Sequence, residues 1–305
     1  MVNNYWTLLL SRALIGFCVG LNNSPTGIYV VEHASCRSLY VFGAVITDFI
    51  YGVAAAWIGV IGYLFLDILG WRVFLLLTSL PFFLPPILML HFYFTEDGSR
   101  ANNEEGPDCT EEIVVPNIKT RIVKVSLLSM CNVLLGFGSI LLLPALLRVY
   151  NIEGNSTGCT AVQGAQFLIL AGVLGGGNLL GALLALKLHN MFNFRVVQGI
   201  LAVMMMAFYG AMLIQGNYFI TVLSMSLARL TYAMMNFEIT LLNYDPTFFG
   251  TATLLKATAV TWGMWAVGAM VGTSLAAFVP PFTAVMASFA VSFIQIAVVG
   301  CLHER

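Results

Sequence analysis

The chain has 305 residues, of which 59% are hydrophobic and 9% charged, and its net charge is −1. Soluble domains carry about a quarter charged residues, so much of this surface must face lipid rather than water. With no basic tract, nucleic acid is not an expected partner.

Runs of about 20 apolar residues suit a helix that crosses a bilayer. In chain order they fall at 5–31, 39–65, 70–94, 121–149, 160–187, 195–214, 217–243, 254–278 and 281–302. The expected fold is an all-α polytopic membrane protein of about nine transmembrane helices. Residues 1–94 would hold three spans and residues 121–305 a six-helix bundle. Between them, the polar stretch 95–120 is acidic, contains Gly98, Gly106, Pro107 and Pro116, and reads as a solvated linker.

Orientation follows from Lys and Arg. Numbering the connections alternately collects Arg37, Arg100, Lys119, Arg121, Lys124, Lys187, Arg195, Lys256 and Arg305 on one side, nine of the thirteen basic residues. That side, with the C-terminus, is expected to be cytoplasmic. The sequon Asn155-Ser156-Thr157 falls in a loop on the opposite side, which fits a glycosylated outer loop. It implies a secretory route but leaves the plasma membrane and intracellular vesicle membranes both open.

This topology puts Met1 outside, although residues Met1–Asn4 lack the positive start of a signal peptide. Internal repetition bears on the same point. Ser11-Arg12-Ala13-Leu14 in the first span parallels Ala228-Arg229-Leu230-Thr231 in the seventh. Phe42-Gly43-Ala44 parallels Val267-Gly268-Ala269 in the spans that follow. Spans one to three thus look like spans seven to nine, and three further spans at the front would complete two six-helix halves. The expectation is a chain equivalent to the last nine helices of twelve.

An ionisable group inside a span costs about 2.5–3.5 kcal/mol on insertion scales, so each needs a partner or a wet cavity. Arg12 shares a helix face with Gly16, Gly20 and Asn23, which suits a tight helix contact or a cavity wall. Asp48, with Tyr51 and Gly52 one turn away, reads as a proton or cation site or as half of a structural ion pair. Arg229, Tyr232, Asn236 and Asn243 form a polar stripe that faces a cavity or hydrogen-bonds between helices. Glu238 projects roughly opposite Arg229, so those two are not expected to pair. Asn132, Gln166 and Asn178 read as interhelical glue or as ligands. Trp262 and Trp265 read as packing or as an aromatic wall for an organic cation. Lys256 reads as snorkelling towards the interface.

The six cysteines form no C-x-x-C pair, and His33, His91, His189 and His303 stand isolated, without metal-ligand spacing. Gly172–Gly177 is glycine-rich but lacks the strand and Lys-Ser/Thr of a phosphate loop. No nucleophile–base arrangement is readable. The expectation is therefore no enzyme, no metal and no cofactor.

At several of these residues the chain resembles the major facilitator superfamily, closest to its organic cation and anion transporters and synaptic-vesicle-protein-two-related transporters. Arg12, Leu14, Gly16 and Gly20 look like the fourth-helix pattern R-x-L-x-G-x-x-x-G. Glu32 and Arg37 look like the charged, gating pair after helix four. Gly70-Trp71-Arg72 looks like the G-W-R that opens helix six, and Thr95 to Arg100 like the P-E-S-P-R that follows it. Gly250–Thr253 and Gly263–Ala269 look like the stretch joining helices ten and eleven. The second-half loop, where the family writes G-x-x-x-D-R-x-G-R-R, lacks the Asp and keeps Lys187, His189 and Arg195; Leu254 stands where a later pattern ends in Arg.

The resemblance implies secondary transport of a small organic solute by alternating access, with or without a coupling ion. The alternative is a truncated, non-transporting membrane protein or an incomplete gene model. The pathway residues expected on the first reading are Arg12, Asn23, Asp48, Tyr51, Asn132, Arg229, Tyr232, Asn236, Glu238 and Trp262.

Overall fold

A computed structural model describes residues 37–80, 115–149, 169, 171–214 and 217–301, all helices and short connections. The first expected span, Arg12, Asn23, Glu32, most of the linker and the sequon at Asn155 lie outside the described residues.

Helix α1 runs Arg37–Ser79 and contains the expected second span and the start of the third. Gly70 interrupts it at φ 73°, ψ 169°, a region open to glycine but strained for other residues. The break falls where the sequence divides the two spans. Helix α2, Ile118–Val149, starts three residues before its expected span. Helix α3 opens with a π turn at Ala171–Gly176 and continues as Gly177–Met191. Helix α4 is Phe194–Met212 and α5 is Tyr218–Asn243, whose N-cap Asn217 accepts from the Ile220 amide. The short α6, Pro246–Phe249, and a 3₁₀ turn, Thr251–Thr253, lead into α7, Leu254–Phe278, and α8, Pro281–Gly300. Among the described residues, six helices are long and apolar enough to cross a membrane: α2 to α5, α7 and α8.

Helices α2 and α5 form the middle of the packing. Helix α2 lies along α7 and also touches α8 and α5, while α5 packs against α4, α3 and α2. Close approach of α2 and α7 depends on absent side chains. A Cβ at Gly272 would stand 2.3 Å from the Leu134 carbonyl oxygen, and one at Gly268 would stand 2.4 Å from that of Met130. Helix α1 meets α3 through a similar seam. A Cβ at Gly52 would come 2.9 Å from Leu179 Cγ, and one at Gly175 would come 2.9 Å from the Ala56 Cβ. Leu180, Leu183 and Leu184 of α3, Ile200 and Val203 of α4, and Phe293 and Ile294 of α8 are exposed. Such outward apolar faces are what a bilayer requires.

Three basic residues, Arg121, Lys124 and Arg195, meet the chain at the ends of α6 and α8. Lys124 Nζ donates to the Cys301 carbonyl at 2.6 Å, and Arg195 Nη2 donates to that of Gly300 at 2.8 Å. Arg121 Nη1 donates to the Phe248 carbonyl at 3.2 Å and stacks on its ring. Cations on the last carbonyls of α8 and α6 complement the partial negative charge of a helix C-terminus.

Candidate functional site

Two buried polar centres lie on α5. The first is Arg229, only 1% exposed. Its Nη1 donates to the Gly136 carbonyl of α2 at 2.9 Å. Its guanidinium carbon lies 4.4 Å from the Tyr232 ring centre and 6.0 Å from that of Tyr51 on α1. Two glycines make room for this arrangement. A Cβ at Gly136 would fall 2.2 Å from the Tyr232 ring, and one at Gly177 would fall 3.0 Å from Arg229 Cγ. One arginine therefore touches α1, α2 and α3 as well as its own helix.

The guanidinium is only partly satisfied. Its Nε has no partner, and no carboxylate pairs with it among the described residues. Asn132, one turn from Gly136 on α2, is fully buried with neither amide atom bonded, and Asn178 Nδ2 is also buried without a partner. Buried polar atoms ordinarily find partners, so an unpaired set of them marks a place where water or a solute would bind. The carbonyl of Gly136 also accepts Ser139 Oγ at 2.6 Å, which fixes the acceptor that Arg229 uses.

The second centre is Glu238, 1% exposed, whose Oε2 lies 3.0 Å from His189 Nδ1 near the end of α3. Glu238 Oε1 has no partner. Arg229 and Glu238 thus have separate partners, in keeping with their opposite directions on α5. His189, which stands isolated in sequence, acquires its contact from a residue 49 positions away.

The remaining expected residues are more scattered. Tyr51 is half exposed on α1, and Tyr232 is buried. Asn236 is partly buried and makes an interaction. Trp262 donates Nε1–H to the Tyr244 hydroxyl at 2.9 Å and packs 5.4 Å from Trp265, which meets Phe137 edge-on at 5.2 Å. Burial raises the Tyr244 phenol pKa, and the bond from Trp262 opposes that shift. Asp48 and Arg37 lie on α1, but their side chains are outside the described set. Among the described residues no group of three His, Cys, Asp or Glu is placed to hold a metal ion. Sequence reasoning missed Gly136, Gly177, Tyr244 and the pairing of His189. Only the small residues, which often mark close helix approach, offered a sequence signal.

A buried cation between apolar helices, with bonding capacity left over, suits a site that receives a polar solute within the membrane. The Major Facilitator Superfamily model matches residues 1–273. The chain belongs to this superfamily. It is accordingly an integral, multi-pass membrane transporter of the major facilitator type, whose partners are the lipid bilayer and a small solute. Members of this superfamily are transporters rather than enzymes. No curated protein is significantly similar to the chain.

Proposed function

We propose that this major facilitator moves a small organic solute by alternating access and that Arg229 binds it. The observation that carries this reading is the buried Arg229 guanidinium, unpaired with any described carboxylate, at the meeting of α1, α2, α3 and α5. Helix α1 belongs to the segment read as the first bundle (1–94), and the other three belong to the second (121–305). A solute held at Arg229 would therefore engage both bundles, as rocking about a central site requires. Arg12, Asn23, Asp48, Tyr51, Asn132, Tyr232, Asn236, Glu238 and Trp262 complete the proposed pathway, with Glu32 and Arg37 as gating charges and residues 95–120 as the cytoplasmic linker. The organic cation and anion transporter branch is supported by the G-W-R and R-x-L-x-G-x-x-x-G likenesses. Within it, a guanidinium with no carboxylate partner among the described residues favours a solute bearing a carboxylate or another acceptor group.

The basic end of the helices is taken as cytoplasmic, with the C-terminus there and Asn155 glycosylated outside. The membrane would be the plasma membrane or that of an intracellular vesicle. The test is uptake into proteoliposomes of three radiolabelled probes: a small carboxylate, a quaternary amine and a neutral sugar. Carboxylate accumulation is expected to exceed that in protein-free vesicles at least tenfold. Uptake of the quaternary amine alone would overturn the anion assignment, and uptake of none would count against transport of these solute classes.

A further inference from the structure

Helices α4 and α8 carry none of the proposed pathway residues, yet each turns one glutamine into the interior. Gln198 of α4 and Gln295 of α8 are fully buried. Both amides close on Met235 of α5, itself fully buried. Gln198 Nε2 donates to the Met235 carbonyl at 3.0 Å, and Gln295 Nε2 lies 3.8 Å from Met235 Sδ. The two amide oxygens, Gln198 Oε1 and Gln295 Oε1, have no partner among the described residues. We propose that these oxygens and Met235 form a buried hydration site, in which one water donates its two protons to Gln198 Oε1 and Gln295 Oε1 and so joins α4 to α8 over α5.

Helix register puts the two amides at one level. Arg195 donates to the Gly300 carbonyl, which pairs the start of α4 with the end of α8. Gln198 lies three residues along α4 from that bond, and Gln295 five residues back along α8. At about 1.5 Å of rise per residue, their heights differ by about 3 Å. A Cβ at Gly199 would meet Val299 Cγ1 at 4.0 Å and no described atom nearer, so the two helices are not tightly packed beside Gln198.

The chemistry selects water. An amide oxygen buried without a donor is costly, and here two stand together. Both are acceptors, so the ligand must bring donors, and one water brings two. Ser292, a turn before Gln295, spends its hydroxyl proton on the Ser288 carbonyl at 3.0 Å and supplies none. A bare cation is disfavoured, because both Nε2 groups turn their partial positive charge on Met235 and none of the three side chains is an anion. The site is distinct from the Arg229 centre, since Met235 projects about 120° round α5 from Arg229. It ties two helices with exposed apolar faces to α5, and it does not depend on the function proposed above.

Radiolytic footprinting tests the site without reference to transport. Hydroxyl radicals made by a brief X-ray pulse on the purified full chain modify side chains beside water, and methionine sulfur is readily oxidised. Met205 and Met212 of α4, 1% and 0% exposed, lie in the apolar core and serve as internal controls. Met235, no more exposed than these, is expected to oxidise at least fivefold faster than either. The double variant Gln198→Leu, Gln295→Leu removes both acceptors and keeps a similar volume, and its Met235 should fall to the control rate. Gln295→Leu alone is the second variant, for use if the double variant does not fold. It carries the same expectation, because a water left with one acceptor is not held. Wild-type Met235 oxidising no faster than Met205 and Met212 would overturn the site, as would be seen if one amide were reversed and the two bonded directly. A folded variant whose Met235 keeps the wild-type rate would also overturn it.

Discussion

Replacing Arg229 separates what this residue does for the fold from what it does for transport. Its charged hydrogen bond to the Gly136 carbonyl is worth about 1.5–3 kcal/mol. The Tyr232 and Tyr51 rings contribute about 0.5–2 kcal/mol each. Against these stands the desolvation of a 1%-exposed cation without a described counter-charge, itself several kcal/mol. Arg229→Met removes both sides of this balance and keeps most of the volume. Gly136 O retains Ser139 as a donor, so the truncation leaves no orphaned carbonyl. Stability is expected to change by no more than about 1–2 kcal/mol, within the range where a buried ion is exchanged for an apolar side chain. Arg229→Lys keeps the full desolvation cost but loses the planar stacking face and presents a more strongly hydrated ammonium. It is expected to lose about 2–4 kcal/mol, since a buried charge with degraded partners is among the costly changes. Thermal unfolding of the three proteins in detergent, at equal protein and lipid, gives the order. A Met variant less stable than the Lys variant would refute the reasoning, because the charge would then be a net stabiliser of the fold.

The other expectations concern helix packing and one side-chain hydrogen bond. Gly272→Ala drives a methyl group into the Leu134 carbonyl and should cost about 1–3 kcal/mol in unfolding, with α2 and α7 forced apart. Gly263→Ala on the same α7 meets nothing within 4 Å and should be neutral or stabilising by up to about 1 kcal/mol in the same assay. Trp262→Phe removes the bond to the Tyr244 hydroxyl and should cost about 1 kcal/mol. Near-ultraviolet titration of that variant should ionise Tyr244 at higher pH than in the wild type, because the donor that stabilises its phenolate is gone.

Hydropathy located α4, α5, α7 and α8 within about two residues because one bilayer thickness sets the length of every apolar run. The break at Gly70 lay where Gly-Trp-Arg divides the second and third spans, but its geometry needed a backbone angle that no periodicity encodes. The π turn at Ala171–Gly176 was equally illegible, as was α6, because an apolar run reads the same in either helical winding. The polar stripe on α5 was readable from the spacing of Arg229, Tyr232 and Asn236 on one face. Its partner Gly136 was not, since a backbone carbonyl carries no side-chain signature. For the same reason of distance along the chain, His189 looked isolated until the fold brought it to Glu238.

The most direct test compares initial rates of carboxylate uptake by wild type and Arg229→Met in proteoliposomes, at equal amounts of folded protein. The account predicts solute accumulation by the wild type and at least a tenfold lower rate for a variant that unfolds at a similar temperature. Equal rates in the two proteins would contradict the assignment of Arg229 as the solute-binding residue.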